Sequence, residues 1–447
     1  MKFMLFRLQF VVIVIAVFFV FNSVYAQKIV NGYSHQWKKV DDLITKKLTK
    51  SALDEVAMIY TIAKKEKNDP QMIKALVYRV TLLHNIEEDA DVKSIVAIEK
   101  EIVTAKEPAK SILYSIAAEM YWNFFKQNRY KLYNRTGILH REGFIKDDIQ
   151  TWSIADFHKK IGERYLASIK EDKLLQQTSL ETFEPILIKG NARYLRPYLF
   201  DLLAHRALEY FKNDERDIIQ PAYAFVINDQ NAFADAREFV SHKFVNKDSS
   251  SLHYYALLIF QKLLVFHAVD TKPDALIDAD IERIDFVKQY GVMNGKIDLY
   301  IKALENIVIT YKDIPSSAQA GYLMAQEIFN QASAIDVNAG AKKSKYTIEE
   351  AKEIAEGVMQ KFPGSEGVIN AKNLLNQIFH KELNLSSEKV DIPDEPFRTL
   401  VSYKNFSSLN FRIIQLTPEF KKLVENNNDN DQVWKKLTAE KFIRSWK

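Results

Sequence analysis

Cysteine is absent from this 447-residue chain, and glycine and proline are scarce. Without cysteine the chain has no disulfide, no thiolate metal ligand and no cysteine nucleophile. The 12 glycines and 11 prolines make up about 5% of the residues, against about 12% in average proteins. So few helix breakers argue against a loop-rich, collagen-like or disordered chain and favour long helices.

Net charge is also small, because 62 basic and 58 acidic residues leave only +4. A chain so close to neutral has no strong field to attract nucleic acid or anionic lipid. Hydrophobic residues at 47% and charged residues at 27% are ordinary values for a globular protein. The length predicts roughly two to four structural units.

The N-terminus has the features of an export signal. Lys2 and Arg7 accompany an unbroken apolar run, Phe10–Phe21, and small residues then precede Gln27. The run is short for a membrane span, which needs about 20 apolar residues. We predict that residues 1–26 are a signal peptide cleaved before Gln27, with an uncleaved N-terminal anchor as the alternative. The mature protein is then expected in the periplasm, on the outer membrane surface or outside the cell, and touches the membrane only through the uncleaved signal peptide.

Helical periodicity dominates residues 27–384, which we interpret as a helical repeat region. Predicted N-caps stand at Ser51, Asp69, Ser153 and Thr347. The stretch 253–268 is so apolar that it predicts a buried helix. Apolar stripes on consecutive helices predict antiparallel helical hairpins, the units from which solenoids are stacked.

A weak internal repeat supports the same architecture. Tyr311–Ser317 and Lys361–Ser365 each contain an aromatic residue followed by Pro and Ser, and each precedes an alanine-lined helix. This order is typical of tetratricopeptide-like units, in which small alanines allow close helix packing. The sequence therefore predicts a tetratricopeptide-like α-solenoid.

Composition changes near residue 384. Residues 385–396 contain Ser, charges and prolines, and they are predicted to be a linker. Beyond them the apolar period changes to two, and Arg398–Tyr403 and Leu409–Ile414 are predicted to form a β-hairpin. Residues 397–447 are about half of the ~100 residues that an immunoglobulin-like sandwich needs. The predicted fold class is therefore mainly α, followed by the start of an incomplete β-sandwich.

Candidate chemical groups are few. His205 and His253 lie on apolar helical segments, where a hydrogen-bonded interior or interface histidine is favoured over a metal ligand. The acidic runs Glu87–Asp91 and Asp278–Glu282 lack the glycine of a calcium loop and are interpreted as solvated helix-terminal acids. Gly291–Lys296 is one residue too short for a phosphate loop and is predicted to connect two helices.

Nucleophile–base patterns and paired carboxylates on a credible pocket are also absent from the sequence. We therefore predict a protein that is not an enzyme, with no catalytic, cofactor-binding or metal-binding residues and no cofactor. Its expected partners are proteins, rather than nucleic acid or a small-molecule substrate.

Several aromatic-rich segments carry a resemblance to a known family. They are Ser115–Thr136, Asp147–Tyr165, Arg196–Phe211, Lys361–Ile378, Arg398–Leu416 and Lys441–Lys447. The first four resemble the N-terminal helical region of large alpha-2-macroglobulin-like proteins of Bacteroidetes-type bacteria. The last two resemble strands of the first macroglobulin β-sandwich in those proteins.

The resemblance implies the helical part of a secreted protease trap, in which a bait segment is cut and a Cys–Gln thioester often captures the attacker. Both features lie downstream of the matched region, so the resemblance assigns no functional residue here. It also implies that the chain is a fragment that stops inside the first macroglobulin domain. The alternatives are a free-standing helical-repeat scaffold of the cell envelope that binds a partner protein and, less favoured, a helical enzyme with an unrecognised site.

Overall fold

A computed structural model of the chain describes residues 32–133, 148–188, 190–215, 223–334, 346–387, 392, 395–426 and 431–447. The predicted signal peptide, residues 1–26, lies outside this set. The predicted fold class, mainly α with a few short strands at the C-terminal end, is confirmed. In the described residues no helix combines the length and apolar content that a bilayer crossing requires.

Two compact units make up the chain. The first ends at Ala320 and the second begins at Gly321. The division falls inside a helix, α13 (Ala318–Ser333). The change of composition near residue 384 falls within the first strand, Glu382–Ser387.

The first unit is built from helices joined mostly by short connections. Their bounds are α1 (32–45), α2 (Thr49–Glu66), α3 (Asp69–His84), α4 (Ala90–Thr104), α5 (Ala109–Tyr133), α6 (Ile154–Ser168), α7 (Asp172–Gln177), α8 (Leu199–Phe211), α9 (Ala236–Ser241), α10 (Leu252–His267), α11 (Asp274–Tyr290) and α12 (Lys296–Thr310). Short 3-10 helices lie at Ile149–Thr151, Leu180–Ile186, Arg193–Leu195, Gln230–Phe233 and Pro315–Ser317. Neighbouring helices pack in pairs, such as α2 on α3, α5 on α6 and α10 on α11.

Two of the predicted N-caps are confirmed. Ser153 accepts the backbone N–H of Asp156 at 3.2 Å, and the Asp156 carboxylate accepts the backbone N–H of Ser153 at 3.1 Å. This capping box satisfies two groups that the first turn of α6 leaves without a helical partner. Thr347 caps α14 (Ile348–Lys361), since its hydroxyl accepts the backbone N–H of Glu350 at 3.1 Å.

The other two N-caps were predicted at the wrong residue. The side chain that caps α3 belongs to Asn68, which accepts the backbone N–H of Gln71 at 3.3 Å, and Asp69 is the first helical residue. Ser51 lies inside α2, because the carbonyl of Leu48 already accepts a helical hydrogen bond. Several neighbouring residues could act as the N-cap of each helix. Which of them does so depends on the residue at which the helix begins.

An aromatic cluster forms the core between α5, α6 and α8. Its members are Trp122, Phe125, Phe157, Tyr165, Tyr210 and Phe211. Phe125 and Phe157 are completely buried, with ring centroids 5.9 Å apart. The aromatic residues of this region therefore serve packing, as expected for residues on apolar helical stripes.

The second unit combines helices with two small sheets. After α13 its elements are α14 (Ile348–Lys361), α15 (Glu366–Ile378), β1 (Glu382–Ser387), β2 (Thr399–Lys404), β3 (Phe411–Ile414), α16 (Pro418–Asn426), α17 (Asp431–Ala439) and β4 (Phe442–Trp446). β1 pairs antiparallel with β2, so that Glu382 faces Lys404. β3 pairs antiparallel with β4, so that Phe411 faces Trp446.

The predicted hairpin is therefore wrong. Its two strands, at Arg398–Tyr403 and Leu409–Ile414, belong to different sheets. Residues 385–387 of the predicted linker are likewise part of β1, while 388–391 and 393–394 lie outside the described residues. Alternation predicts that a segment is a strand, but it does not select the partner strand.

Candidate functional site

Helix α11 carries the densest group of charges in the interior of the first unit. The acids Asp278, Asp280 and Glu282 lie in the middle of this helix, so their interpretation as solvated helix-terminal acids is wrong. Successive helical positions are 100° apart, which separates Asp280 from the side that Asp278 and Glu282 share. Each acid contacts at least one basic side chain, from other segments for Asp278 and Glu282 and from α11 itself for Asp280.

Three basic side chains of the 196–212 segment surround Glu282. Lys212 donates to it at 2.5 Å, His205 Nδ1 lies 2.9 Å from Oε2, and Arg196 lies at 3.6 Å. Burial alone would raise the pKa of Glu282, but His205 and Lys212 lower it to about 2. Asp278 joins this cluster through Arg196 at 3.4 Å. The cluster links α8 to α11.

On the other side of α11, Arg283 and Asp280 form a buried pair. The Arg283 guanidinium is completely buried, and its Nε donates to Asp280 at 2.8 Å. It also donates to the carbonyls of Ala232 and Ala234 and lies 4.4 Å from the ring centroid of Phe239. Burial raises the pKa of Asp280 and outweighs the lowering by Arg283. The pair therefore holds the segment before α9 against α11.

A third buried group joins α8 to α10. His267 Nε2 lies 2.9 Å from Asp201, and its Nδ1 lies 2.8 Å from Asp270. Burial would lower the pKa of His267, but the hydrogen bonds and charges of the two acids raise it overall. Asp201 also accepts the backbone N–H of Tyr198 at 2.9 Å. Because both ring nitrogens are engaged, this imidazole is placed to connect helices rather than to transfer protons.

An open recess of about 670 Å³, here called the α11 recess, lies beside the Asp280–Arg283 pair. It is lined by Ala234, Asp235, Ala236, Arg237, Val240, Leu264, Val265, Ala268, Leu276, Asp280, Arg283, Ala303, Asn306, Ile307, Thr310 and Tyr311. These residues come from α9 to α12 and from the segments next to them. A concave, largely apolar surface with a few polar groups is the usual form of a small-ligand site.

The remaining sequence candidates lie apart from this recess. His205 is buried in α8, and half-buried His253 packs on Tyr290 with ring centroids 4.4 Å apart, in agreement with the predicted interior or interface positions. Glu87–Asp91 lies at the start of α4, and Gly291–Lys296 connects α11 to α12, which confirms both interpretations. Among the described residues no group of three or more His, Asp and Glu side chains could hold a metal ion.

Sequence reasoning missed the residues that form the buried pairs and the recess. Asp280 and Arg283 are three positions apart on one helix, a spacing at which opposite charges meet, and this pattern was available. His267 and Asp201 are 66 residues apart, so nothing local connects them. Their burial depends on tertiary packing that a single sequence does not reveal.

No protein-family model, no curated protein and no solved structure matches the chain.

Proposed function

We propose that this chain is a non-enzymatic exported protein, the helical portion of an alpha-2-macroglobulin-like endopeptidase inhibitor. The observation that carries the proposal is the pairing of β3 with β4. The resemblance assigned the segments that contain these strands, Arg398–Leu416 and Lys441–Lys447, to one macroglobulin sandwich. Their antiparallel pairing is what neighbouring strands of one sandwich require.

The arrangement of the buried charges supports a non-catalytic role. Catalytic acids and bases need access to a substrate, whereas His267, Arg283 and Glu282 each contact several groups of the protein itself. Pairs of this kind connect helices and define their relative positions. The helical unit then acts as a scaffold, and its partner is a protein: the target protease, engaged through further domains, or an envelope component.

An immunoblot tests the first part of the proposal. Antibodies against the helical unit are applied to envelope and medium fractions of the producing cell. We expect a polypeptide much larger than 51.9 kDa, the mass of these 447 residues, because an inhibitor of this family has many domains. A band at the size of the mature chain alone would instead favour the free-standing scaffold.

Protease incubation tests the second part. The polypeptide that the antibodies detect is purified and mixed with several endopeptidases. We expect a cut in a single short segment and loss of protease activity on protein substrates. Uninhibited proteases, or hydrolysis of peptides or esters by the protein itself, would contradict the proposal.

A further inference from the structure

Two opposite charges at the α11 recess have no ionic partner. Asp235 and Arg237 both line the recess and are both exposed. Within the part of the chain that the structure describes, no ion pair involves either side chain, although every other charge of the recess is paired. Asp235 Oδ1 accepts the backbone N–H groups of Arg237 and Glu238 at 3.0 Å each, which fixes the carboxylate at the start of α9.

Asp235 lines the recess together with Asp280 and Tyr311. Burial raises the pKa of Asp280 and of Tyr311, and the negative charge of Asp235 adds to each increase. Arg283 already neutralises Asp280 by direct contact. The recess therefore offers one free negative charge and one free positive charge, two residues apart in the chain.

The rest of the recess is apolar or neutral. Apolar side chains contributed by α9 to α12 are Val240, Leu264, Val265, Leu276 and Ile307. Leu264, Leu276 and Ile307 are buried, while Val265 is 54% exposed at the rim. Such a wall favours an aliphatic or aromatic side chain over a polar one.

We propose that the α11 recess binds a short apolar zwitterion, either a free α-amino acid or a di- or tripeptide. Asp235 accepts hydrogen bonds from the ammonium group, and the Arg237 guanidinium donates to the carboxylate. The apolar side chain lies against the wall of the recess. A guanidinium and a carboxylate form strong charge-assisted hydrogen bonds. We therefore expect binding to depend on both charges of the ligand.

A ligand series on the whole protein tests this requirement by isothermal titration calorimetry. The ligands are L-leucine, L-phenylalanine, trileucine, N-acetyl-leucine and leucinamide. We expect the zwitterions to bind, and the acetylated and amidated forms, which each lack one charge, to bind about tenfold more weakly or less. The relative affinity of trileucine and L-leucine identifies the peptide or the amino acid as the better ligand.

Conservative variants test the two residues. Asp235→Asn removes the charge but keeps an N-cap of equal quality, so α9 is retained. Arg237→Gln removes the guanidinium from an exposed position. We expect each to weaken zwitterion binding about tenfold while leaving the melting temperature unchanged.

Two matched variants are the controls. Asp148→Asn changes another capping acid, which accepts the backbone N–H of Gln150 at 3.0 Å, and Arg79→Gln changes an exposed arginine of α3. Neither residue lines the recess, so both variants should bind as the parent does. The proposal is overturned if no zwitterion binds at about 10 mM, if leucinamide or N-acetyl-leucine binds as well as leucine, or if the control variants lose binding equally.

Discussion

The helical interior of the first unit and the strands of the second unit differ in how far their side chains are exposed to solvent. In the first unit even a charged side chain such as Arg283 is completely buried, because neighbours satisfy its donors. In the second unit every residue of β1 and of β4 is exposed. A helix satisfies its own backbone and can bury one stripe against each neighbour, whereas a two-stranded sheet leaves edges and faces uncovered.

The sheets are still attached at defined points. Asn405 has a positive φ of 57°, a conformation that asparagine tolerates in turns. Its side-chain amide donates to the carbonyls of Ile378 at 2.6 Å and His380 at 2.8 Å. This contact ties the turn after β2 to the end of α15. Local hydrogen bonds therefore hold strands that burial hardly stabilises.

The largest expected difference is in proteolysis. Cleavage requires local opening, and opening needs little free energy where few apolar contacts are made. We expect thermolysin to cut within the exposed strands β1 and β4 about a hundredfold faster than it cuts any helix from α5 to α11. Mass spectrometry of the timed digest should show a helical fragment that persists. Equal resistance of these strands and of the helices would contradict the comparison.

Next in size is the loss of the buried guanidinium. Arg283→Met leaves the Asp280 carboxylate and the carbonyls of Ala232 and Ala234 buried without their donor. Removing one partner of a buried pair costs about 3–5 kcal/mol, so urea unfolding should show a loss of that order.

Two further variants isolate the cause. Arg79→Met makes the same change at an exposed arginine and should alter the free energy of unfolding by less than about 0.5 kcal/mol. Asp280→Leu combined with Arg283→Met should recover part of the loss, because no unpaired charge is then buried. A loss below about 1 kcal/mol in Arg283→Met alone would show that water reaches Asp280.

The helices could be predicted from the sequence because apolar stretches and N-cap residues are local features. The apolar stretch 253–268 became α10, and Ser153 and Thr347 cap the helices that their sequences predicted. The acids around Asp280 were assigned to solvent because such residues usually lie there. The basic partners of Asp278 and Glu282 come from segments distant in sequence, so only the folded chain brings these groups together.

The partner of each strand could not be predicted either, because it also depends on segments distant in sequence. The period of two in Leu409–Ile414 identified a strand, and β3 lies there. Its partner, β4, follows two helices, α16 and α17, which the alternation of β3 cannot specify. The nearest strand in sequence was therefore chosen, although β2 pairs with β1 instead.

A smaller, pH-dependent effect is expected at His267. Its pKa is raised in the folded protein, above about 6.5 in the unfolded chain. The resulting stabilisation is complete below the unfolded pKa and is lost as pH rises through the folded one. We expect His267→Gln to cost about 1–3 kcal/mol at pH 6, because Asp201 loses its charged partner. The loss in the free energy of unfolding caused by His267→Gln should become smaller at higher pH.

Denaturant unfolding between about pH 5 and 9 measures this dependence. His35→Gln, at an exposed position of α1, is the control and should leave the pH profile of the free energy of unfolding unchanged. A cost of His267→Gln that grows with pH would mean that the neutral imidazole is the stabilising form.

The smallest effect compares one methylene group in the two regions. Ile161 is completely buried in α6, whereas Ile443 in β4 is 70% exposed. Ile161→Val removes a methylene that neighbouring side chains enclose, and it should cost about 0.5–1.5 kcal/mol. Ile443→Val removes a methylene that water already contacts, and it should change the free energy of unfolding by less than about 0.3 kcal/mol. Urea unfolding monitored by helical circular dichroism measures the first change, and proteolysis of the C-terminal strands follows the second. Equal losses at both sites would show that the outer face of β4 is covered in solution, and the contrast between the two regions would then not hold.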